Sequence, residues 1–339
     1  MKKNIYVCGT YFHLFITFIK VLKSNDENSI VILSTIDEYE KVIKKLKKSS
    51  LFKNVYFYDE RKISKLFNEQ NIETKKFRKN EMINLFNENS NIRFNDYTDI
   101  YVYNDWTTIG AYLMDSKIKY HLIEDGIDGF YYLKGNLKHR VTFLNPNFKY
   151  RVKRIIKKIL NIGYDFFGQS KYVIDIEVND KSKIFIKNNN VIEVKKEDLY
   201  NSLTKEEKLK IYELFMSGEV KIDIKENNVL LLTQPLYIDK MVDFEEDQVE
   251  IYSDMINKYI KEYKVYIKPH PRDVMDYKKI NKNVVIIDKN MPIEVLKFNS
   301  NIKFDKAVTI VSSSIKSLDF VDEKIEYGFE YLDKYKRSK

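Results

Sequence analysis

Short runs of β-branched and aromatic residues alternate along the chain with stretches whose apolar positions recur at helical spacing, the pattern of α/β folds with parallel sheets. "IYVCGT" precedes "YFHLFITFIKVLK". "SIVILST" precedes "DEYEKVIKKLKK", where Asp37 can cap a helix and Val42, Ile43 and Leu46 share one face. "NVYFY" follows, then "DIYVYND" before a helical "WTTIGAYLMD", and then "KYHLIEDG". A second series begins with "NNVLLLTQPL" and continues through helical "DQVEIYSDMINKYIKEY", "KVYIKPHP", "NVVIID", helical "MPIEVLKF", "KAVTIVSSS" and helical "IKSLDFV".

Between the two series, roughly 140 to 222, the chain reads as more helical and more basic. "LTKEEKLKIYELFMSG" predicts a helix capped by Thr204 and closed by Gly218, with Ile211, Leu214 and Phe215 on one face. Leu209, Tyr212 and Met216 gather opposite, which predicts burial on two faces. No internal repeat occurs. The architecture repeats instead: two α/β halves, 1–221 and 222–339, with the closing "YGFEYLDKYKRSK" expected to cross back to the first.

A length of 339 residues, 44% of them hydrophobic, accommodates two such cores. Only 9 glycines and 5 prolines argue against long linkers. The single cysteine, Cys8, excludes an internal disulfide framework and fits a reducing, cytoplasmic setting. The opening "MKKNIYVCGTYFHLFITFIKVLK" places basic residues before an apolar stretch, but Gly9, Thr10 and His13 interrupt it and Lys20 closes it. It reads as strand, loop and helix rather than as a signal peptide. No apolar run is long enough to span a bilayer.

The formal net charge of +9 suggests an anionic partner: a nucleotide, a phosphate, an acidic glycan, a lipid headgroup or a nucleic acid. One segment concentrates that charge. In "KYRVKRIIKKIL", residues 149–160, Val152, Ile155, Ile156, Ile159 and Leu160 line a helical face and basic residues occupy the rest. Such a helix suits peripheral contact with the anionic inner face of the cytoplasmic membrane, or packing on the first domain with a solvated basic side. A basic module of this kind gives no reason for polar residues to cluster at strand ends, so nucleic acid is not the expected partner. A homodimer is left open.

Open α/β sheets bind ligands beyond the carboxyl ends of their strands. The polar residues there are Thr10, Asn104-Asp105 and Glu124-Asp125-Gly126 in the first half, and Thr233-Gln234, His270 and Ser312-Ser313-Ser314 in the second. A carboxylate at a strand end can take a proton from a hydroxyl, although Asp-Gly is equally a common turn pair. The serines open an apparent helix and suit either a phosphate or plain capping. His270 is held between Pro269 and Pro271, with Lys268 and Arg272 beside it. A rigidly placed imidazole can donate to a leaving phosphate, or cap a carbonyl. No GxGxxG, no Walker loop and no metal-ligand spacing is present, and Asp175-Ile176-Glu177 lies inside a strand-like run, so metal-independent chemistry without a cofactor is expected.

Glu124-Asp125-Gly126, His270-Pro271 and Ser312-Ser313-Ser314, in that order, resemble the acidic, HP and serine-rich motifs of bacterial sialyltransferases. The opening "YVCGTYFHL" and the "MPIEVL" stretch, with Pro292 and Glu294, are similar to the lipooligosaccharide and capsule sialyltransferases of glycosyltransferase family fifty-two. The resemblance implies a GT-B-like α/β fold, two Rossmann-type domains with parallel sheets facing a central cleft. It implies metal-independent, inverting transfer from CMP-sialic acid to a galactoside or sialoside of a surface glycan or glycolipid. His270 would serve the departing phosphate, Ser312 to Ser314 would hold it, and Glu294 would contact the ribose. Thr233-Gln234-Pro235 would lie near the cytidine. The base would come from Glu124 or Asp125, with Asp239 a third candidate. A polysialyltransferase, or another CMP- or CDP-donor enzyme such as a teichoic-acid glycerophosphotransferase, is the alternative.

Overall fold

The computed structural model describes residues 1–74, 81–125, 164–183, 190–216, 227–299 and 302–335. It divides into two compact units, Met1–Leu203 and Thr204–Lys339. The sequence pattern places the division at Ile222; in the structure it falls just before the helix that Thr204 caps. Gly126, the basic stretch 149–160 and Gly218 lie outside the described residues.

The first unit is built on strands β1 (Lys3–Cys8), β2 (Glu27–Leu33), β3 (Val55–Tyr58), β4 (Asp99–Val102), β5 (Tyr120–Ile123), β6 (Val173–Val178) and β7 (Val191–Glu193). All pair in parallel, in the order β3-β2-β1-β4-β5-β6-β7. β1 and β2 are buried along nearly their whole length, as strands of a sheet covered on both faces must be. Helices α1 (Tyr11–Leu22), α2 (Tyr39–Ser49), α3 (Glu60–Thr74), α4 (Glu81–Asn89), α5 (Thr108–Asp115) and α6 (Lys196–Asn201) accompany the sheet. Ile5, Val31, Ile100, Leu122 and Ile176 from the strands join Met82, Phe86, Ile109 and Leu113 from the helices in one core. β6 and β7 replace part of the expected helical middle: β6 is the strand-like run around Asp175-Ile176-Glu177, and β7, three residues long, is too short for its periodicity to declare itself. Asp37 does not cap α2. The preceding residue, Glu38, turns the chain through φ 54, and the Asp37 carboxylate pairs with Arg61 at 3.4 Å instead.

In the second unit β8 (Asn228–Leu232), β9 (Lys264–Lys268), β10 (Val285–Ile286), β11 (Phe304–Thr309) and β12 (Val321–Glu326) form a parallel sheet in the order β10-β9-β8-β11-β12. Its helices are α7 (Lys205–Phe215), α8 (Glu245–Tyr259) and α9 (Tyr277–Ile280). Thr204 closes a capping box with Glu207 at the start of α7, as the sequence predicts. Ile211 and Phe215 are buried, while on the opposite side Tyr212 and Met216 are only partly buried and Leu209 is exposed, so the second face is covered in part. The expected helices at "MPIEVLKF" and "IKSLDFV" are single short 3-10 segments, Ile293–Phe298 and Ser313–Ser317. The closing segment Phe329–Tyr335 packs on α8, where the Tyr335 hydroxyl donates to Asp254 at 2.8 Å. Among those residues no helix is long and apolar enough to cross a membrane.

Both sheets reverse their winding at the centre, between β1 and β4 in the first and between β8 and β11 in the second. The strand ends beside such a reversal are where a ligand finds open backbone and loop side chains.

Candidate active site

At the first reversal the loops after β1, β4 and β5 bring Thr10, His13, Asn104 and Asp125 together. Thr10 caps α1, accepting the His13 main-chain N–H at 3.2 Å. That cap fixes His13 in the first turn of α1. Its ring is 2% exposed and stacks on Tyr103 at 4.4 Å. Nδ1 accepts the Gly9 N–H at 3.1 Å, so the neutral ring carries its proton on Nε2, which donates to Asp125 Oδ1. Asn104 Nδ2 donates to the other oxygen, Asp125 Oδ2, at 3.2 Å. The carboxylate is oriented at both ends, yet its side chain stays 29% exposed. It has the geometry of an oriented base.

Its neighbour Glu124 is 3% exposed. One Glu124 oxygen accepts the Asn179 N–H at 2.6 Å and the other accepts from Lys196 Nζ at 3.0 Å. It joins β5 to the segment after β6 and is not presented to solvent. Asp105 is buried as well. Its carboxylate accepts the N–H groups of Phe167 at 2.7 Å and Gly168 at 2.9 Å, and the Tyr120 hydroxyl at 3.2 Å. Burial pushes its carboxyl pKa up to about 6. These contacts make Asp105 an anchor for the loop before β6.

At the second reversal the loop after β9 is clasped from several sides. The buried Lys268 amine donates to the Pro269 carbonyl at 3.1 Å and the Lys289 carbonyl at 2.9 Å. Burial lowers its pKa to about 8, against the opposing pull of Asp288 and Glu294. Lys289 Nζ in turn reaches the Asp273 carbonyl at 3.2 Å. The Asp273 carboxylate accepts from the Thr233 hydroxyl at 2.8 Å and from Tyr277 at 2.5 Å. Lys268 and the Thr233 hydroxyl therefore hold the loop rather than present themselves to a ligand. Beside Thr233, the Gln234 N–H donates to the Tyr252 hydroxyl at 2.7 Å, and Pro235 is buried.

His270 stands on this clasped loop, half-buried. Its Nδ1 accepts the Arg272 N–H at 3.2 Å, so its neutral form also carries the proton on Nε2. Burial, then the Arg272 charge, hold its pKa below the ordinary histidine value. Arg272 grips Asp239 with two bonds, 2.6 and 3.0 Å, which commits that third candidate base to an ion pair. Pro271 is exposed and Glu294 partly so. Ser312 precedes the Ser313–Ser317 turn without capping it, so its hydroxyl is not spent there. Ser314 is partly exposed. A five-residue 3-10 turn does not supply the helix dipole that the sequence pattern led one to expect. Among the described residues no group of three or more His, Cys, Asp or Glu is placed to hold a metal ion.

A family model described as Glycosyltransferase family 52 matches residues 25–330. The chain belongs to glycosyltransferase family 52. An uncharacterized protein of Haemophilus influenzae is 32% identical over 219 residues to this family 52 chain, spanning 62% of either protein, so the match leaves more than a third of that relative's length uncovered. Among solved structures, an alpha/beta-galactoside alpha-2,3-sialyltransferase from Photobacterium phosphoreum aligns with a TM-score of 0.52 at 16% identity, covering 95% of this chain and 90% of that one. A sialyltransferase from Photobacterium damsela aligns with a TM-score of 0.48 at 11% identity, covering 95% and 73%. The first likeness and the two parallel sheets establish a GT-B-like fold with two Rossmann-type units.

Sequence reasoning named Asp125 and His270 but passed over His13, Tyr252, Asp273 and Lys289. His13 left a signal: a histidine three residues after a capping threonine, in the first turn after a strand. The others are revealed only by contacts distant in sequence.

Proposed function

We propose that this family 52 protein transfers sialic acid from CMP-sialic acid to a hydroxyl of a galactoside or sialoside on a bacterial surface glycan, inverting the anomeric centre without a metal. The acceptor oxygen attacks the anomeric carbon while the carbon–oxygen bond to the phosphate breaks, its electron pair leaving with CMP. Asp125 takes the acceptor's proton. His270 donates its Nε2–H to the phosphate oxygen on which charge develops. The hydroxyls of Ser312 and Ser314 add donors there, Glu294 contacts the ribose, and the Thr233-Gln234-Pro235 turn lies beside the cytosine. Lys268 serves by fixing the His270 loop.

The observation that carries this reading is the state of Asp125: a part-exposed carboxylate at a strand end, with each oxygen held by a neutral donor. The test incubates the purified protein with CMP-sialic acid and lactose in chelator and follows CMP release. Turnover supports the proposal. Absence of turnover across a broad panel of acceptors, with no CMP binding by calorimetry, overturns it. Because this reading gives His270 a role at the phosphate rather than at the sugar, it extends to a CMP- or CDP-linked glycerol donor or a growing sialoside polymer; a donor and acceptor screen separates these.

A further inference from the structure

The chain has one tryptophan, and it stands two residues from a residue that holds the proposed base. Trp106 is 59% exposed, in the turn between β4 and α5. An exposed indole at the end of a sheet strand presents a flat apolar face that a ligand can cover. Its placement is not loose. The Asn104 side chain accepts the Trp106 N–H at 3.1 Å through Oδ1 and donates to Asp125 through Nδ2 at 3.2 Å. One amide thus sets both the carboxylate and the turn that carries the indole. Thr107 caps α5 immediately afterwards and donates to the Asn104 carbonyl at 3.1 Å. A Cβ at Gly110 would lie 2.0 Å from the Asp105 carbonyl oxygen, so glycine alone lets α5 approach this turn.

A second element supports the ring. Phe167 stacks on Trp106 with centroids 5.8 Å apart and planes at 29°. Phe167 has φ 59, a left-handed conformation unusual for a bulky residue, and Gly168 follows at φ 72. Such backbone strain persists only where other contacts hold it. Here the holding group is buried Asp105, which accepts the N–H of both residues.

We infer that Trp106, backed by Phe167, is the platform for the acceptor's sugar ring. The inference rests on the proposed transfer and names the residue that would select its acceptor. The chemistry of the turn fits a pyranoside. The indole offers a flat, electron-rich face to the ring C–H groups, and Asp125 offers only acceptor oxygens to a hydroxyl. A ligand with an apolar ring face and outward hydroxyls satisfies both; a β-galactoside has this form.

Because Trp106 is the only tryptophan, intrinsic tryptophan fluorescence reports on this ring alone. Titrating the protein with lactose is expected to shift or quench the emission saturably, while mannitol at equal concentration does not. In steady-state assays Trp106→Ala should raise the acceptor KM roughly 3- to 10-fold, the range expected for one lost aromatic contact. The donor KM should move far less, and Trp106→Phe should recover part of the loss. An emission spectrum indifferent to lactose, or an acceptor KM unmoved in Trp106→Ala, overturns the platform. These outcomes are independent of the donor: CMP release by the wild-type protein would still stand if the platform failed, and a lactose-dependent emission change would still stand if CMP-sialic acid proved the wrong donor.

Discussion

His13 in the first unit and His270 in the second share a backbone device. In each, Nδ1 accepts a main-chain N–H, from Gly9 in one case and Arg272 in the other, which leaves the proton of the neutral ring on Nε2. The destination of that proton differs. His13 is sealed between Tyr103 and the strand ends and gives its Nε2–H to Asp125. His270 is half-buried, and its Nε2 has no hydrogen-bond partner among the described residues. Charge differs as well: a carboxylate beside one ring, an arginine beside the other. A buried histidine spent on a carboxylate positions it, whereas one with Nε2 unspent and its charged form disfavoured is ready to donate to a ligand.

The largest effects should come from the two groups assigned to the chemistry. Asp125→Asn and His270→Ala are each expected to lower kcat about 10²- to 10⁴-fold, the usual contribution of a general base or acid. Thermal denaturation should change little in either variant. Glu124→Gln should behave oppositely, because it removes a charge that is 3% exposed and paired with Lys196. The expected cost is about 1–3 kcal/mol of stability, read by urea denaturation, with most turnover retained in the folded fraction. A catalytic collapse in Glu124→Gln at unchanged stability would exchange the roles of the two acids.

A middle-sized effect tests whether His13 is a positioning group. His13→Ala removes one hydrogen bond to a charged partner, which is worth roughly 10- to 100-fold at the reacting centre. His13→Gln keeps an N–H donor and should recover part of that loss. Equal losses in both variants would mean that the ring matters for its packing on Tyr103 alone.

The same pair shows how far the chain was legible before folding. The parallel α/β halves, the Thr204 cap and the strand-end location of the polar residues were all written in local patterns, because burial and capping act over a few neighbours. His270 was conspicuous for a similar reason, with prolines on both sides. His13 was not, since its partner lies 112 residues away and its surroundings look like ordinary helix core. The two acids of "EDG" illustrate the same limit. Nothing in the tripeptide says that Glu124 turns inward to Lys196 while Asp125 stays partly exposed. Lys268 stands beside His270 in the sequence, but a buried ammonium must find acceptors nearby, and the Pro269 and Lys289 carbonyls supply them.

The smallest effect expected is electrostatic and concerns His270 alone. Burial is the larger cause of its lowered pKa, and the Arg272 charge comes next, while Asp239 pulls the other way. Arg272→Gln removes the second downward pull and releases Asp239 from its ion pair, so the His270 pKa should rise toward the ordinary value. The chain has four histidines, few enough to follow by proton NMR of the ring Cε1–H signals across pH. The stability consequence has a definite sign. With the folded value depressed, the unfolded chain binds the proton more readily, so this residue's contribution is complete above the unfolded value of about 6.5. It is lost as pH falls through the folded value. Arg272→Gln should therefore flatten the acid-side loss of stability while lowering turnover far less than His270→Ala does. A His270 resonance that titrates at an unchanged or lower pH in Arg272→Gln would remove Arg272 from the electrostatics of the loop and leave burial, with the smaller pull of the Lys268 charge, as the cause.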